Sequence, residues 1–176
     1  MKKILILFII AMVFFASCTP YKNLERQQYK IAQLEKENFE VVNNIVFWRF
    51  IYDDNENIEK LKNNPRLKFE TDTTGYIIRT NFNDKKLNDF TGQFKIEKKD
   101  TRYRASVFNV VFYVEPITIG GGGIAMQSIT EYTIEQSLIN KDGAVRSYNA
   151  YDLTGILNPH LIELFTAKEF DKEGDW

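Results

Sequence analysis

Phe90-Thr91-Gly92-Gln93-Phe94-Lys95-Ile96-Glu97, then Lys98-Lys99-Asp100-Thr101, then Arg102-Tyr103-Arg104-Ala105-Ser106-Val107-Phe108-Asn109-Val110-Val111-Phe112-Tyr113-Val114, is the stretch on which the fold turns. In the first segment apolar and polar residues alternate, which places them on opposite faces of an extended chain. The four residues that follow are turn formers. The second segment returns as a long β-branched and aromatic strand, with Phe108, Val110, Phe112 and Val114 on its most apolar face. Glu115-Pro116 ends it, because proline has no N–H to offer a central ladder. The stretch therefore predicts a long antiparallel hairpin at the heart of a sheet.

Toward the N-terminus, Ile45-Val46-Phe47-Trp48-Arg49-Phe50-Ile51-Tyr52 is apolar on both faces and reads as a central strand. Asp53-Asp54-Asn55-Glu56-Asn57 supplies turn and capping residues, Ile58 and Leu61 edge a short helix, and Asn63-Asn64-Pro65 ends it. Leu67-Lys68-Phe69-Glu70 and Tyr76-Ile77-Ile78-Arg79-Thr80 read as strands about a turn at Thr73-Thr74-Gly75. Toward the C-terminus, Gly120-Gly121-Gly122-Gly123 breaks the pattern. Ser128 to Ile139 fits strand and helix templates alike, and a Ser128/Glu131 capping box tips it toward helix. Lys141-Asp142-Gly143 is a turn. Asn158 as N-cap with Pro159 at the first helical position predicts a final helix carrying Leu161, Ile162, Leu164 and Phe165 as its apolar stripe. Together these elements predict an α+β domain over residues 44–168, a curved antiparallel β-sheet with helices packed on one face, and a short tail over 169–176.

Ahead of that domain, Tyr21 to Glu40 has no Gly or Pro and many good helix formers, so a helix is expected from about Asn23 to Asn38. Leu24, Ile31 and Leu34 hint at a coiled-coil seam. Two heptads are too few to specify one, and Asn38 falls where the seam needs an apolar residue; a helical or frayed tether over 18–43 is the expectation.

At the start, Met1-Lys2-Lys3 is a basic n-region before an unbroken apolar run from Ile4 to Phe15. A helix of about thirteen residues spans only ~20 Å, short of a ~30 Å hydrocarbon core, so the segment reads as a signal peptide over 1–17. Phe15-Ala16-Ser17-Cys18 resembles the lipobox of bacterial lipoproteins. That resemblance implies acylation of Cys18, which becomes the mature N-terminus. It also implies two lipid attachments, enough for stable anchoring where a single chain binds reversibly. Thr19 is not the Asp that retains lipoproteins in the inner membrane, and Thr19-Pro20-Tyr21-Lys22-Asn23 has no acidic patch of the kind that marks export to the cell surface. The expected address is the periplasmic face of the outer membrane.

The 176 residues carry 23 Lys+Arg against 24 Asp+Glu, so the electrostatic footprint of a nucleic-acid binder is missing. At 44% hydrophobic and 14% aromatic the chain can bury a core, which excludes wholesale disorder. One Cys excludes an internal disulfide framework and a Cys-rich metal site. One His, His160, leaves no histidine cluster for a metal, and at a helix start it is expected neutral and partly exposed. No Gly-x-Ser-x-Gly elbow presents a nucleophile, and the glycine run lacks the Lys-Ser/Thr of a P-loop. Carboxylates such as Asp53/Asp54 or Glu115 could serve glycoside chemistry if the fold set them at the right separation, which the sequence does not give, and Asp53 and Asp54 are explained by a turn and a cap. Lys95, Lys98, Lys99, Arg102 and Arg104 gather at the hairpin beside Phe94 and Tyr103. Asp89, Glu97 and Asp100 dilute them, and a solvated hairpin end is the first reading; as a binding patch they suit an anionic envelope polymer or a lipid headgroup.

The ordered motifs Val46-Phe47-Trp48-Arg49, Phe90-Thr91-Gly92, Lys99-Asp100-Thr101-Arg102-Tyr103-Arg104 and Leu164-Phe165-Thr166 resemble a family of bacterial lipoproteins of unknown function whose domain is similar to the TATA-binding-protein fold. The resemblance covers roughly residues 44–168 and implies a strand, a helix, a run of antiparallel strands and a C-terminal helix. It carries no DNA-binding implication and supplies no catalytic residues or cofactor. Two functions follow as expectations. The first is a non-enzymatic binding or assembly module held on the envelope by lipid at Cys18, with an envelope protein or anionic polymer as partner. The second is an envelope hydrolase of glycan or peptide working through an acidic pair.

Overall fold

Strands β5 (Asp89–Lys99) and β6 (Arg102–Tyr113) form the antiparallel hairpin that the alternation predicts, paired from Asp89↔Tyr113 to Lys99↔Arg102 around a loop in which Asp100 takes the left-handed conformation. The structure, a computed structural model, describes residues 18–53, 57–82, 84–114, 131–146 and 150–169. The expected leader, the lipobox residues Phe15, Ala16 and Ser17, Asp54, Glu115-Pro116, the glycine run, Ser128 and the tail beyond Glu169 lie outside the described residues.

Within them the chain is α+β. Helix α1 (Cys18–Lys36) leads into β1 (Phe39–Val42) and β2 (Ile45–Tyr52), then a 3-10 turn (Ile58–Asn63), β3 (Leu67–Phe69) and β4 (Thr74–Thr80). After the β5–β6 hairpin come β7 (Glu131–Thr133), α2 (Ile134–Leu138) and α3 (Ala150–Leu164). The strands make one open, antiparallel seven-stranded sheet in the order β1-β2-β6-β5-β4-β3. Strand β2 pairs the first half of β6, up to Val107, and β7 pairs its end from Val111, so the two share one edge of the same long strand. Asn43 and Asn44, both with positive φ, make the two-residue turn between β1 and β2, where the residues must tolerate the left-handed region.

One face of the sheet is the core. It bears Val46, Trp48, Tyr52, Ile77, Phe90, Phe94, Ile96, Tyr103, Val107 and Phe112, all buried, and α3 packs on it through Leu157, Leu161, Leu164 and Phe165. The C-terminal carbonyls of α3 have no partner within the helix. Three side chains from below supply donors: Tyr52 Oη to Ile162 O at 2.8 Å, Asn64 Nδ2 to Leu164 O at 2.8 Å and Tyr103 Oη to Phe165 O at 2.6 Å.

Five expectations are corrected. Phe108 does not share a face with Val110 and Phe112. The register slips by one residue between Thr91↔Val111 and Gln93↔Phe108, with Asn109 at a positive φ, so a bulge turns Phe108 to the opposite face. The final helix starts at Ala150, not after Asn158. Pro159 lies inside it, and Asn158 spends its side chain on Trp48, Asn38 and Glu37 in place of a cap. The ambiguous stretch ending at Ile139 splits: Glu131–Thr133 is strand, and the capping box that opens α2 is Thr133 with Gln136.

The tether helix is no frayed arm. Leu34 is 1% exposed in the core, Lys30 Nζ donates to Val145 O at 2.9 Å and Val145 N donates to Gln27 Oε1 at 3.1 Å. The sheet itself begins at Phe39, ahead of the expected boundary at 44.

Candidate functional site

Alternation puts every second residue of the strands on the face away from α3. No described element packs over that face. Its rows follow from the pairing: Arg49 beside Ser106 and Lys95, Ile51 beside Arg104 and Glu97, and Glu40 beside Phe47 in line with Phe108 and Gln93. Phe47 and Phe108 tilt against each other at 5.7 Å, and the Arg49 guanidinium lies 4.8 Å over the Phe47 ring while pairing with Glu40. At the other edge Arg79 sits 4.4 Å over the Tyr113 ring and 3.2 Å from Asp89. Ile51 is 55% exposed.

The five cations singled out in the sequence do not all share this face. Lys95, Lys99, Arg102 and Arg104 do, by strand parity. Lys98 turns to the other side and reaches Glu59 of the 3-10 turn at 3.1 Å. Counter-ions hold most of the set. Arg104 forks onto Glu97 Oε2 through Nε at 3.1 Å and Nη2 at 2.6 Å, Lys95 meets Glu97 Oε1 at 3.2 Å, and Arg102 approaches Asp53 at 4.0 Å. Lys99 has no carboxylate partner among the described residues. Arg104, and then Lys95, hold the Glu97 carboxyl below its usual range. Ile51, Glu97, Lys98, Lys99, Arg102 and Arg104, with Tyr103, line a depression of about 370 Å³ at the hairpin end of the open face, and Lys95 lies outside it.

A second depression, of about 250 Å³, lies between α1 and β1, lined by Gln27, Ile31, Leu34, Val41 and Gly143 among others. Each depression holds one carboxylate, Glu97 or Glu40, and an arginine pairs with it. Neither therefore offers two carboxylates to share acid and base roles.

His160 sits within α3, its ring tilted against Phe82 at 4.7 Å, with Nε2 3.6 Å from Asp84 Oδ2. The expected helix-start environment does not exist for it, because α3 begins ten residues earlier. The side chain is 22% exposed, partly as expected, and its neighbours are the Phe82 ring and a loop carboxylate. Among the described residues no group of three or more His, Cys, Asp or Glu side chains gathers to hold a metal ion, and no helix is long and apolar enough to cross a membrane.

Two groups escaped the sequence reading. Arg49 and Ile51 face opposite to Trp48 by simple alternation, which an aromatic and β-branched run on both faces of a central strand does not single out. Gln27 and Lys30 hold the loop at Val145, a contact with no local signature. No family model, no curated protein and no solved structure matches the chain.

Proposed function

We propose that the chain is an envelope lipoprotein, acylated at Cys18 at the periplasmic face of the outer membrane, whose α+β domain is a non-enzymatic binding or assembly module. The observation that carries the proposal is the docking of α1. Cys18 lies in the described helix, Cys18–Lys36, and Gln27, Lys30 and Leu34 fasten its later turns to the domain. A lipid on Cys18 would thus be joined to the fold by a rod, and the open sheet face would be presented at a set height and tilt. A catalytic domain gains little from such rigidity, whereas a surface that must meet a partner at a fixed distance does.

The open face supports the same reading, since it combines a paired aromatic couple, exposed Ile51 and cations whose counter-ions are exchangeable. The fold reading that goes with it is a curved sheet like that of the TATA-binding protein, supported by the order of strand, short helix, antiparallel strands and closing helix. The lipobox resemblance at Phe15-Ala16-Ser17-Cys18 and the short apolar run before it support the anchor.

The test is metabolic labelling with radiolabelled palmitate, followed by fractionation of wild type and Cys18→Ala. Label and membrane retention in the wild type, both lost in the variant, are expected. An unlabelled wild type, or a variant that stays with the membrane, sinks the anchor.

A further inference from the structure

We propose that the depression at the β5–β6 hairpin end binds a carboxylate-bearing cell-wall polymer, and not the headgroups of the membrane that carries the chain. The orientation rests on the anchored reading above; the binding itself does not.

The two ends of the molecule follow from connectivity. Leu34 packs in the core with Phe39, while Gln27, two turns earlier, is bonded to Val145 beside the loop of Gly143, where an added Cβ would lie 3.0 Å from Asn44 Oδ1. Helix α1 therefore runs back along β1, and Cys18 projects beyond the Asn43-Asn44 turn. Strand β2 runs the opposite way, from Ile45 at that turn to Tyr52, which pairs with Tyr103. The hairpin loop lies further on still. At ~3.3 Å per residue, β2 and the last residues of the hairpin put roughly 35 Å between the Asn43-Asn44 turn and the loop. A lipid on Cys18 and the cationic depression thus lie at opposite ends of the sheet. Screening confines electrostatic attraction to about 8–10 Å at ordinary ionic strength, so the anchoring bilayer is out of reach.

The lining states what the site takes. Lys99, Arg102 and Arg104 stand around one acid, Glu97, and exposed Ile51, and Lys98 completes the lining while its ammonium reaches Glu59 on the other side. Two arginines one residue apart on a face suit planar, two-oxygen anions such as carboxylates. The ion pairs already present are solvent-exposed, and exposed pairs are worth little, so an incoming carboxylate displaces them at small cost. An occupant that reaches a site so far from the membrane and repeats its charge along a chain is the peptide-bearing glycan of the wall, whose stem peptides carry free carboxylates and apolar alanine-type groups suited to Ile51.

The experiment uses the full chain carrying Cys18→Ala, co-sedimented with purified cell-wall sacculi. Parallel arms use sacculi whose carboxylates have been amidated, and flotation with phosphatidylglycerol vesicles. The expected result is co-sedimentation with native sacculi, weakening between about 0.05 M and 0.3 M salt. The Lys99→Glu/Arg102→Glu variant is expected to lose roughly tenfold in apparent affinity with an unchanged melting temperature. Amidated sacculi and vesicles are expected to bind little. Equal binding of amidated sacculi, equal binding by the charge-reversed variant, or flotation with vesicles in place of sedimentation with sacculi overturns the proposal. Because these arms use unacylated protein, they stand apart from the palmitate result: either can fail while the other holds.

Discussion

The indole Nε1–H of Trp48 donates to Oδ1 of Asn158 at 2.8 Å, joining the centre of the sheet to the centre of α3. The same oxygen accepts from Asn38 Nδ2 at 3.0 Å, and Asn158 Nδ2 donates to Glu37 Oε2 at 3.1 Å. One amide thereby locks the end of α1, strand β2 and α3 together. Asn158→Leu leaves the indole N–H, 1% exposed as a residue, without its acceptor. A buried donor stripped of its partner costs about 1–3 kcal/mol. The melting temperature of the variant is expected to fall by roughly 2–12 °C, read by circular dichroism, given about 2–4 °C per kcal/mol for a domain of this size.

Two glycines give opposite predictions for one substitution. At Gly75 an added Cβ would lie 2.1 Å from the carbonyl oxygen of Lys68 and 2.7 Å from Phe94 Cζ. The first neighbour is backbone of the paired strand β3 and has nowhere to go. At Gly155, on the outer side of α3, nothing lies within 4 Å. Gly75→Ala should destabilise by about 2 kcal/mol or more, while Gly155→Ala should stabilise by about 0.5–1 kcal/mol through helix propensity. Urea midpoints of the two variants, compared at equal slope, check both signs.

Those glycines and Asn158 also mark where sequence reading stops. The strands from 45 to 52 and 89 to 113 were legible because period-two alternation is local chemistry, and the hairpin position followed from its turn residues. Asn158-Pro159 misleads for a physical reason: Asn is a preferred N-cap and Pro is favoured at the first helical position, so the pair signals a helix start. That signal is overridden by the contacts of its side chain with Trp48, Asn38 and Glu37, residues 110 or more positions away. Phe108 was misplaced because a single-residue bulge inverts every later side chain, and Asn109 only hints at it. At the hairpin site the cations were plain in the sequence. Their division between two faces, and the fork of Arg104 onto Glu97, depended on the register.

Tyr52 and Tyr103 stack at 4.7 Å, and each hydroxyl ends on a carbonyl at the close of α3. Burial, and then the neighbouring Tyr103, push the ionisation of Tyr52 well above its ordinary value of 10.0. The unfolded chain releases this proton near the ordinary value, while the folded chain keeps it. Stability from this group is thus complete below pH 10 and is lost progressively as the pH rises above it. Tyr52→Phe removes that alkaline slope together with the bond to Ile162 O, at a neutral-pH cost of about 1 kcal/mol. Urea midpoints between pH 8 and 11 are expected to fall more steeply for the wild type than for the variant. Parallel curves would show that Tyr52 ionises freely in the folded state.

The attachment of α1 makes a prediction that a flexible tether does not. Among the residues of the helix whose burial is described, Leu34 is the one fully in the core, and the two bonds to Val145 hold the turns before it. Leu34→Ala deletes a buried side chain, for which about 2–5 kcal/mol is usual. Gln27→Ala/Lys30→Ala removes only the side-chain partners of the Val145 N–H and C=O, at about 1–2 kcal/mol. Both variants are expected to open the helix locally before the sheet unfolds. Amide exchange should accelerate across Leu24–Leu34 and at Val145, while protection in β5 and β6 persists in the double variant. The rate at Val145 is the decisive one, because its N–H is bonded to nothing but Gln27 among the described residues. Unchanged protection there in Gln27→Ala/Lys30→Ala would mean that the helix is held without these contacts, and the rigid stand-off on which the presentation of the open face depends would lose its basis.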